Sequence, residues 1–216
     1  MRSYSPPPTV RGIPRYPDDG LSEARFDGFD SSLVSGGLKA RIAVEAWTEA
    51  AWRSILRRDE TPFVGVVLVG PTGTGKTHLL TAAARSLSGE LGRAGERRIV
   101  LVSELHLREL ARSCWRRGRG LDERVRRLIA GDVRTALVYD DLGAASDDER
   151  FVAEIRDLLA LRHASQFRTL VALSTNLDLS EIENRYGPRL ASRLFESALA
   201  YPLEGDDRRS PRRAEK

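Results

Sequence analysis

Short apolar runs alternate along the chain with segments whose apolar residues recur at helical spacing. The runs typical of buried strands lie at 63–69, 98–103, 135–139, 168–174 and 198–203. Between them, apolar residues three and four positions apart predict helices, as at 107–114 and 121–129. Strands that alternate with helices favour a parallel sheet covered on both faces. The pattern therefore predicts a three-layer α/β fold with a five-stranded parallel sheet.

The first predicted helix precedes the first strand. Leu38, Ile42, Ala46 and Ala50 fall on one helical face, with Trp47 beside them. This spacing predicts an amphipathic helix of about twenty residues. We expect it to end near position 58.

Two pairs of residues have the spacing of a capping box, in which side chains three positions apart satisfy free backbone N–H groups at a helix start. Ser146 pairs with Glu149 in this way, and Ser180 pairs with Glu183. We expect a helix to begin at each pair, and a further helix to occupy 187–195.

The two ends of the chain differ in composition from its middle. Residues 1–35 are rich in Pro, Gly, Asp and Ser without a sustained period, which predicts an extended arm. Residues 205–216 are charged and predict a solvated tail, so the folded core is expected at 36–204. The N-terminus lacks the apolar core of a signal peptide, and no apolar run approaches the ~20 residues that span a bilayer. We expect a cytoplasmic protein without a membrane segment.

Composition adds a preference for an anionic partner. The 216 residues carry a net charge of +4 with a pI near 9.6, and all but three of the 35 basic residues are arginines. This balance fits a polyanion, although a GC-rich genome would also enrich arginine. The single cysteine, Cys114, excludes an internal disulfide and a cysteine-pair metal site.

One motif carries specific chemistry. The sequence between the first predicted strand and the next helix matches G-x-x-x-x-G-K-[ST], whose backbone N–H groups cradle phosphates. The expected nucleotide-binding residues are Gly70, Pro71, Thr72, Gly73, Thr74, Gly75, Lys76, Thr77 and His78. In such a loop Lys76 reaches the β- and γ-phosphates, and the Thr77 hydroxyl is a ligand of Mg²⁺. The motif therefore predicts that a nucleoside triphosphate and Mg²⁺ bind here.

Polar residues follow two later strands, where ligands bind in open α/β sheets. Asp140 and Asp141 follow the third strand; we expect Asp140 to ligate Mg²⁺ and Asp141 to orient the attacking water. Asn176 follows the fourth strand, where it can hold the water or the γ-phosphate, or serve as an ordinary turn residue. With Lys76, these residues form the expected catalytic set.

The order of motifs resembles one family. GPTGTGKTHLL, LVYDDLG, LSTN, RYGPRLASRLFE and LEGDDRR, preceded by GIPR and ARFDGF, follow each other as in AAA+ ATPases of the DnaC-like helicase-loader and IstB-like transposition-helper group. The similarity covers about 12–209. It implies a P-loop AAA+ fold.

The resemblance also implies roles for single residues. Asn176 corresponds to the sensor 1 residue and Arg193 to the arginine finger, with Arg189 one turn earlier as a supporting candidate. A finger acts on the nucleotide of the adjacent subunit, which implies a homo-oligomer. From the residues alone, Arg189 and Arg193 also fit a solvated helix face.

Two features depart from many AAA+ proteins. Asp141 stands where many have Glu, so its carboxylate lies one methylene farther from the water and hydrolysis is expected to be slow. After Leu203 the sequence leaves no room for a C-terminal lid domain. Loaders of this group commonly lack that lid.

A basic segment is a candidate for DNA contact. Arg108, Arg112 and Arg116 recur every four residues, and Arg117 follows them. In the resembling loaders this region contributes to single-stranded DNA binding, whereas a solvated helix face is the alternative from the residues alone. Trp115, inside the segment, is expected to be packed rather than stacked on a base.

The leading hypothesis is an ATP-dependent DnaC-like loader that assembles on single-stranded DNA and engages a replicative helicase. An IstB-like transposase helper is the alternative within the family. A small-molecule kinase would share the phosphate loop, but would need an acceptor pocket with its own lid. A non-catalytic adaptor that uses ATP as an assembly switch is the further alternative.

Overall fold

The computed structural model describes residues 23–58, 61–93, 99–131, 134–145 and 148–206. Most of the predicted arm (1–22) and of the predicted tail (207–216) lie outside the described residues. No helix in the described ranges is long and apolar enough to cross a membrane.

Five strands form one parallel sheet, as predicted. Its order is β2-β3-β4-β1-β5, and every pairing between neighbouring strands is parallel. The strands are β1 Gly65–Val69, β2 Ile99–Ser103, β3 Ala136–Leu142, β4 Val171–Thr175 and β5 Ala198–Pro202. Because all five run in the same direction, their carboxyl ends meet at one edge of the sheet, where the phosphate loop lies.

Helices cover both faces of the sheet. They are α1 Gly37–Arg57, α2 Lys76–Arg93, α3 Glu104–Arg116, α4 Glu123–Ala130, α5 Glu149–Ala164, α6 Leu179–Tyr186 and α7 Pro188–Ser197. Val66 and Leu68 pack with α1 and α2 on one face, whereas Val67 packs with residues of α3 to α7 on the other. Buried strands with apolar residues on both faces explain the continuous apolar runs in the sequence.

The buried face of α1 differs from the predicted one. Leu38 and Ile42 are more than half exposed. The buried face carries Ala40, Val44, Trp47, Ala51 and Ile55. Two apolar stripes run along this helix, and the stripe that contains Trp47 packs on the sheet. In this position the indole N–H of Trp47 donates to the carbonyl oxygen of Thr169 at 3.0 Å, so the buried ring keeps a hydrogen-bond partner.

Both predicted capping boxes are replaced by aspartate caps. Asp148 caps α5 by accepting a hydrogen bond from the N–H of Phe151, while Ser146 lies outside the described residues. Helix α6 has a complete capping box formed by Asp178 and Glu181, two positions before the predicted Ser180 pair. A carboxylate accepts these hydrogen bonds more strongly than a hydroxyl does, and its negative charge is stabilised by the positive N-terminal end of the helix.

Residues 23–35 pack against the core. Phe29 and Val34 are buried there, and a 3-10 turn spans Ser31–Leu33. Ser35 forms an antiparallel bridge with Glu204, beyond β5. This segment therefore lies close to the ends of β1 and β5.

One arginine is fully buried in the sheet's helical cover. The guanidinium of Arg162 donates to the carbonyl oxygens of Leu128, Thr135 and Leu170. Burial lowers the pKa of Arg162 to about 10, which still leaves it charged at neutral pH. The side chain thus joins α4, α5 and the starts of two strands.

We expect Arg162→Met to lower the free energy of unfolding by about 2–4 kcal/mol, because it removes the guanidinium that donates to the carbonyl oxygens of Leu128, Thr135 and Leu170. Urea unfolding followed by circular dichroism measures the change. Arg156→Met, on an exposed position of the same helix, is the control and is expected to shift stability by less than about 0.5 kcal/mol. Equal stabilities for the two variants would contradict this role.

Candidate nucleotide-binding site

The phosphate loop joins β1 to α2 and depends on glycine at two positions. Gly70 has a φ of 152°, and a Cβ there would overlap the carbonyl oxygen of Leu203. Gly75 has a φ of 88°, and a Cβ there would lie 2.6 Å from the ring of Phe29. The loop is therefore enclosed between the end of β5 and the segment before α1, and only glycine fits both contacts.

Lys76 lies inside this loop at the first turn of α2. It is only 4% exposed, and its ammonium group donates to the carbonyl oxygens of Gly70 and Pro71, each at 2.7 Å. The hydroxyl of Thr74 also donates to the Pro71 carbonyl, at 2.9 Å. The loop thus places one cation and the N-terminus of a helix at the same point, a combination that favours a phosphate group.

Two oxygen groups suited to Mg²⁺ lie next to the loop. The hydroxyl of Thr77, in the first turn of α2, is 3.3 Å from Oδ1 of Asp140 in β3. The two residues meet although β4 lies between β1 and β3 in the sheet. Hydroxyl and carboxylate oxygens are the ligands Mg²⁺ prefers, usually completed by water and substrate phosphates. Among the described residues no group of three or more His, Cys, Asp or Glu side chains is arranged to hold a metal ion. The two oxygen groups here fit an Mg²⁺ ion that a phosphate also binds. When bound, the ion would neutralise charge on the phosphates.

The acid pair lies within β3 rather than after it, which corrects the predicted end of that strand. The register between β3 and β4 shifts between Tyr139 and Leu142, and Asp141 adopts a left-handed conformation with a φ of 58°. Because of this bulge, two successive acids need not point to opposite faces of the sheet. Aspartate tolerates the left-handed region better than most residues.

Ser174 fixes both acids from the neighbouring strand. Its hydroxyl donates to Oδ1 of Asp140 at 2.5 Å and accepts the backbone N–H of Asp141 at 2.9 Å. The sequence placed Ser174 at a strand end but gave it no role. The one clue in the sequence was its place at the end of a strand, because β4 neighbours the strand that carries the acids.

We expect Ser174→Ala to reduce the rate constant of ATP hydrolysis by about tenfold, because Asp140 and the Asp141 peptide lose their common partner. The dissociation constant for ATP should change by less than about threefold. Steady-state hydrolysis and equilibrium binding measure the two effects. Ser180→Ala, at an exposed position of α6, is the control; an unchanged rate in Ser174→Ala would refute the positioning role.

Asn176 follows β4 directly. Thr175 pairs with Val69 in the sheet, and its carbonyl oxygen accepts the N–H of Gly70 at 3.2 Å. This pairing holds the strand end beside the start of the phosphate loop, and Asn176 itself is exposed. Its role as a sensor stays a prediction.

Arg189 and Arg193 are both exposed on α7, which packs on α5, α6 and β5. Among the described residues neither forms an ion pair with an acidic side chain. Their roles toward an adjacent subunit also stay predictions.

His78 connects α2 to the segment before α1. Its Nε2 lies 2.8 Å from the carbonyl oxygen of Arg25, and its ring centroid is 5.9 Å from that of Phe29. A Cβ added at Gly28 would lie 3.7 Å from the same imidazole, so the backbone of this segment runs close to His78. His78 therefore holds the segment that covers the loop.

The four candidate DNA-binding arginines have different surroundings. Arg112 bonds to the Asp148 carboxylate at 2.7 Å, and Arg108 lies 3.5 Å from Glu109 with a largely buried side chain. Although burial acts to raise it, the pKa of Asp148 lies below its usual value because of the bonds from Arg112 and the Phe151 N–H. Arg116 and Arg117 are exposed at the end of α3.

Trp115 is packed, as expected. It is partly buried against the core on the α3 side of the sheet. The guanidinium of Arg150 lies 4.2 Å from its ring centroid. The indole ring is therefore in contact with the protein's own core and with Arg150.

Comparison with known proteins gives matches only among solved structures, since no family model and no curated protein matches the chain. The crystal structure of the DnaC helicase loader aligns with a TM-score of 0.64 and 17% identity over 86% of this chain and 99% of that one. The crystal structure of DnaI aligns with a TM-score of 0.60 and 20% identity over 90% and 95%.

The AMPPCP-bound DnaA from Aquifex aeolicus aligns with a TM-score of 0.61 and 20% identity over 85% of this chain and 51% of that one. The chain thus spans about half the length of that protein. The described residues include no lid domain after β5. The predicted resemblance is confirmed at the level of the fold: the chain has the α/β fold of P-loop AAA+ proteins, shared with DnaC, DnaI and DnaA.

Proposed function

We propose that the chain is an ATP-binding and slowly ATP-hydrolysing loader of the DnaC-like kind, which assembles on single-stranded DNA and engages a replicative helicase. One observation carries the nucleotide part of this proposal. The phosphate loop, the Thr77–Asp140 pair and the acids held by Ser174 lie together at the carboxyl edge of the sheet. In the proposed reaction Lys76 binds the phosphates, Thr77 and Asp140 hold Mg²⁺, and Asp141 orients water.

The matched structures support the choice of partners. One is named a helicase loader. Another is the replication initiator DnaA bound to AMPPCP and single-stranded DNA, 20% identical over 85% of this chain and 50% of that one. We transfer both properties to this chain as part of the proposal. Its ATPase core is 36–204, its tail is 205–216, and its N-terminal arm is 1–35, of which 23–35 pack on the core. A partner of this kind also places the chain in the cytoplasm.

Surface charge supports contact with DNA at one place. Arg116 and Arg117 are exposed at the end of α3, whereas Arg108 and Arg112 lie in ion pairs with the protein's own acids. Phosphate contacts require cations that are free to face the strand. We therefore propose that Arg116 and Arg117 contribute more to DNA binding than Arg108 and Arg112.

Exposed arginines on α7 support assembly. In the proposed oligomer Arg193, aided by Arg189, approaches the γ-phosphate held by the adjacent subunit and stabilises its charge during hydrolysis. Neither side chain has an acidic partner among the described residues that would hold it away from a neighbour.

Binding to a fluorescent single-stranded oligonucleotide tests the DNA part. We expect the double variant Arg116→Ala/Arg117→Ala to bind at least about tenfold more weakly, with a smaller dependence on salt concentration. Arg53→Ala, at a partly exposed arginine of α1 that pairs with Glu49, is the control. Equal binding by the double variant and the control would place the DNA elsewhere, and no binding by the native protein would refute this part.

Partner capture separates the remaining alternatives. A DnaC-like loader should bind the replicative helicase from its own cell in an ATP-dependent way, whereas an IstB-like helper should bind a transposase instead. The adaptor alternative rests on Asp141, whose side chain is one methylene shorter than that of glutamate and so favours slow turnover. ATP binding with no turnover in the presence of DNA and partner would support the adaptor.

A further inference from the structure

A buried carboxylate lies behind the nucleotide site. Glu104 is the first residue of α3, directly after β2, and is fully buried. Its carboxylate accepts hydrogen bonds from the hydroxyl of Tyr139 at 3.0 Å, the hydroxyl of Tyr186 at 3.1 Å and the N–H of Ala145 at 3.0 Å. Among the described residues no basic side chain forms an ion pair with it. A buried carboxylate held by neutral donors alone needs each of them.

The donors belong to separate parts of the site. Tyr139 directly precedes Asp140 in β3, and Ala145 ends the turn 143–145 after the acid pair. The N–H of Ala144 in that turn donates to the carbonyl oxygen of Asp141 at 3.0 Å. Glu104 therefore holds the chain on both sides of the acid pair: at Tyr139 before it and at Ala145 after it.

The third donor belongs to the helix pair that carries the exposed arginines. Tyr186 is the last residue of α6, and after Gly187 the chain continues into α7 with Arg189 and Arg193. A second bond joins the same two parts: the guanidinium of Arg185 donates to the carbonyl oxygen of Gly143 at 2.9 Å. The end of α6 thus contacts the turn 143–145 directly and through Glu104.

Electrostatics keep the two tyrosines as donors. Burial, followed by the charge of Glu104, raises the pKa of both Tyr139 and Tyr186 above the usual tyrosine value. Both hydroxyls therefore keep their protons at neutral pH. Burial also raises the pKa of Glu104 itself, while its backbone and tyrosine hydrogen bonds act in the opposite direction.

We propose that Glu104 is a positioning residue that fixes the turn 143–145 to the end of α6, so that Asp141 and the arginines of α7 keep one relative arrangement. The inference rests on the proposed ATPase function, because it assigns a role within that reaction. We assign Glu104 a positioning role rather than a catalytic one, because its carboxylate is hydrogen-bonded to Tyr139, Ala145 and Tyr186 and acts through them.

Tyr186→Phe removes one donor without changing the shape of the ring, and its effect on amide hydrogen exchange tests the link. We expect exchange to accelerate by about tenfold both at the end of α6 and in peptides covering 141–145, because the two parts share one acceptor. Tyr201→Phe, a half-buried tyrosine on the edge strand β5, is the control. Faster exchange confined to α6, with 141–145 unchanged, would overturn the proposal.

Kinetics supply the second readout. Tyr186→Phe should lower kcat for ATP hydrolysis by about tenfold and change the dissociation constant for ATP by less than about threefold. Glu104→Gln keeps the size and one acceptor oxygen, so its kcat should lie between those of the native protein and Glu104→Ala. If Glu104 served stability alone, its variants would lower the thermal midpoint. At temperatures where all variants are folded, their kcat values would then be equal.

The two proposals fail in different ways. If the native protein binds no ATP, the proposed function fails, while hydrogen exchange in Tyr186→Phe still decides whether Glu104 links the two parts. If ATP is bound and hydrolysed but kcat is the same in Tyr186→Phe and Tyr201→Phe, the positioning role fails alone. Should Glu104→Ala not fold, Tyr186→Phe and Glu104→Gln carry the test.

Discussion

Lys76→Ala is expected to weaken Mg²⁺-dependent ATP binding by at least about 100-fold, or about 2.7 kcal/mol, and to abolish hydrolysis. The ammonium group of Lys76 lies inside the loop and donates to the carbonyl oxygens of Gly70 and Pro71. A bound phosphate would replace those neutral acceptors with charged oxygens, and hydrogen bonds between charged groups are the stronger ones. The variant loses this gain.

Isothermal titration with ATP and Mg²⁺ measures the effect. Lys39→Ala, the other lysine in the described ranges, is exposed on α1 and serves as the control. Its affinity should stay within about twofold of the native value. Affinity in Lys76→Ala within about threefold of the native value would mean that the loop does not hold the phosphates.

Asp141→Asn is expected to reduce the rate constant of hydrolysis by about 10²–10³-fold while ATP affinity stays nearly constant. The change removes the carboxylate that would orient water, but keeps the side chain's size. Asparagine also tolerates the left-handed conformation of this residue, with its φ of 58°. The N–H bond to Ser174 is made by the backbone and remains in the variant.

Single-turnover hydrolysis separates this effect from binding and product release. Asp157→Asn, at an exposed position of α5, is the matched control. A native rate in Asp141→Asn would exclude Asp141 as the group that orients water. Loss of ATP affinity along with the rate would instead assign it to the Mg²⁺ site.

The sequence predicted the features that depend on local order. The phosphate loop is one continuous motif, and buried strands read as apolar runs because both of their faces are covered. The parallel sheet follows from the alternation of those runs with helical spacing. These predictions needed no knowledge of which residues meet in space.

Other features depend on contacts between distant residues. In α1, Leu38 and Ile42 have the same helical spacing as the buried stripe, and the position of Trp47 against Thr169 decides which stripe is covered. The capping residue of α6 is Asp178 rather than Ser180, because the chain enters the helix two residues earlier than the spacing of serine and glutamate predicted. Local patterns give alternatives here, and packing selects among them.

The positioning residues had the weakest signal. Ser174 acts on acids 33 and 34 positions away, and Glu104 accepts a bond from Tyr186, 82 positions away. Serine at a strand end and glutamate at a helix start are ordinary in isolation. Their roles emerge only when β2, β3, β4 and α6 are placed together.

Equilibrium binding of ATP to the native protein, with and without Mg²⁺, tests the central claim most directly. We predict saturable binding at one site per chain that strengthens when Mg²⁺ is added, because Thr77 and Asp140 lie within 3.3 Å of each other beside the loop. No saturable binding at millimolar ATP, or binding that is the same in Lys76→Ala, would contradict the account.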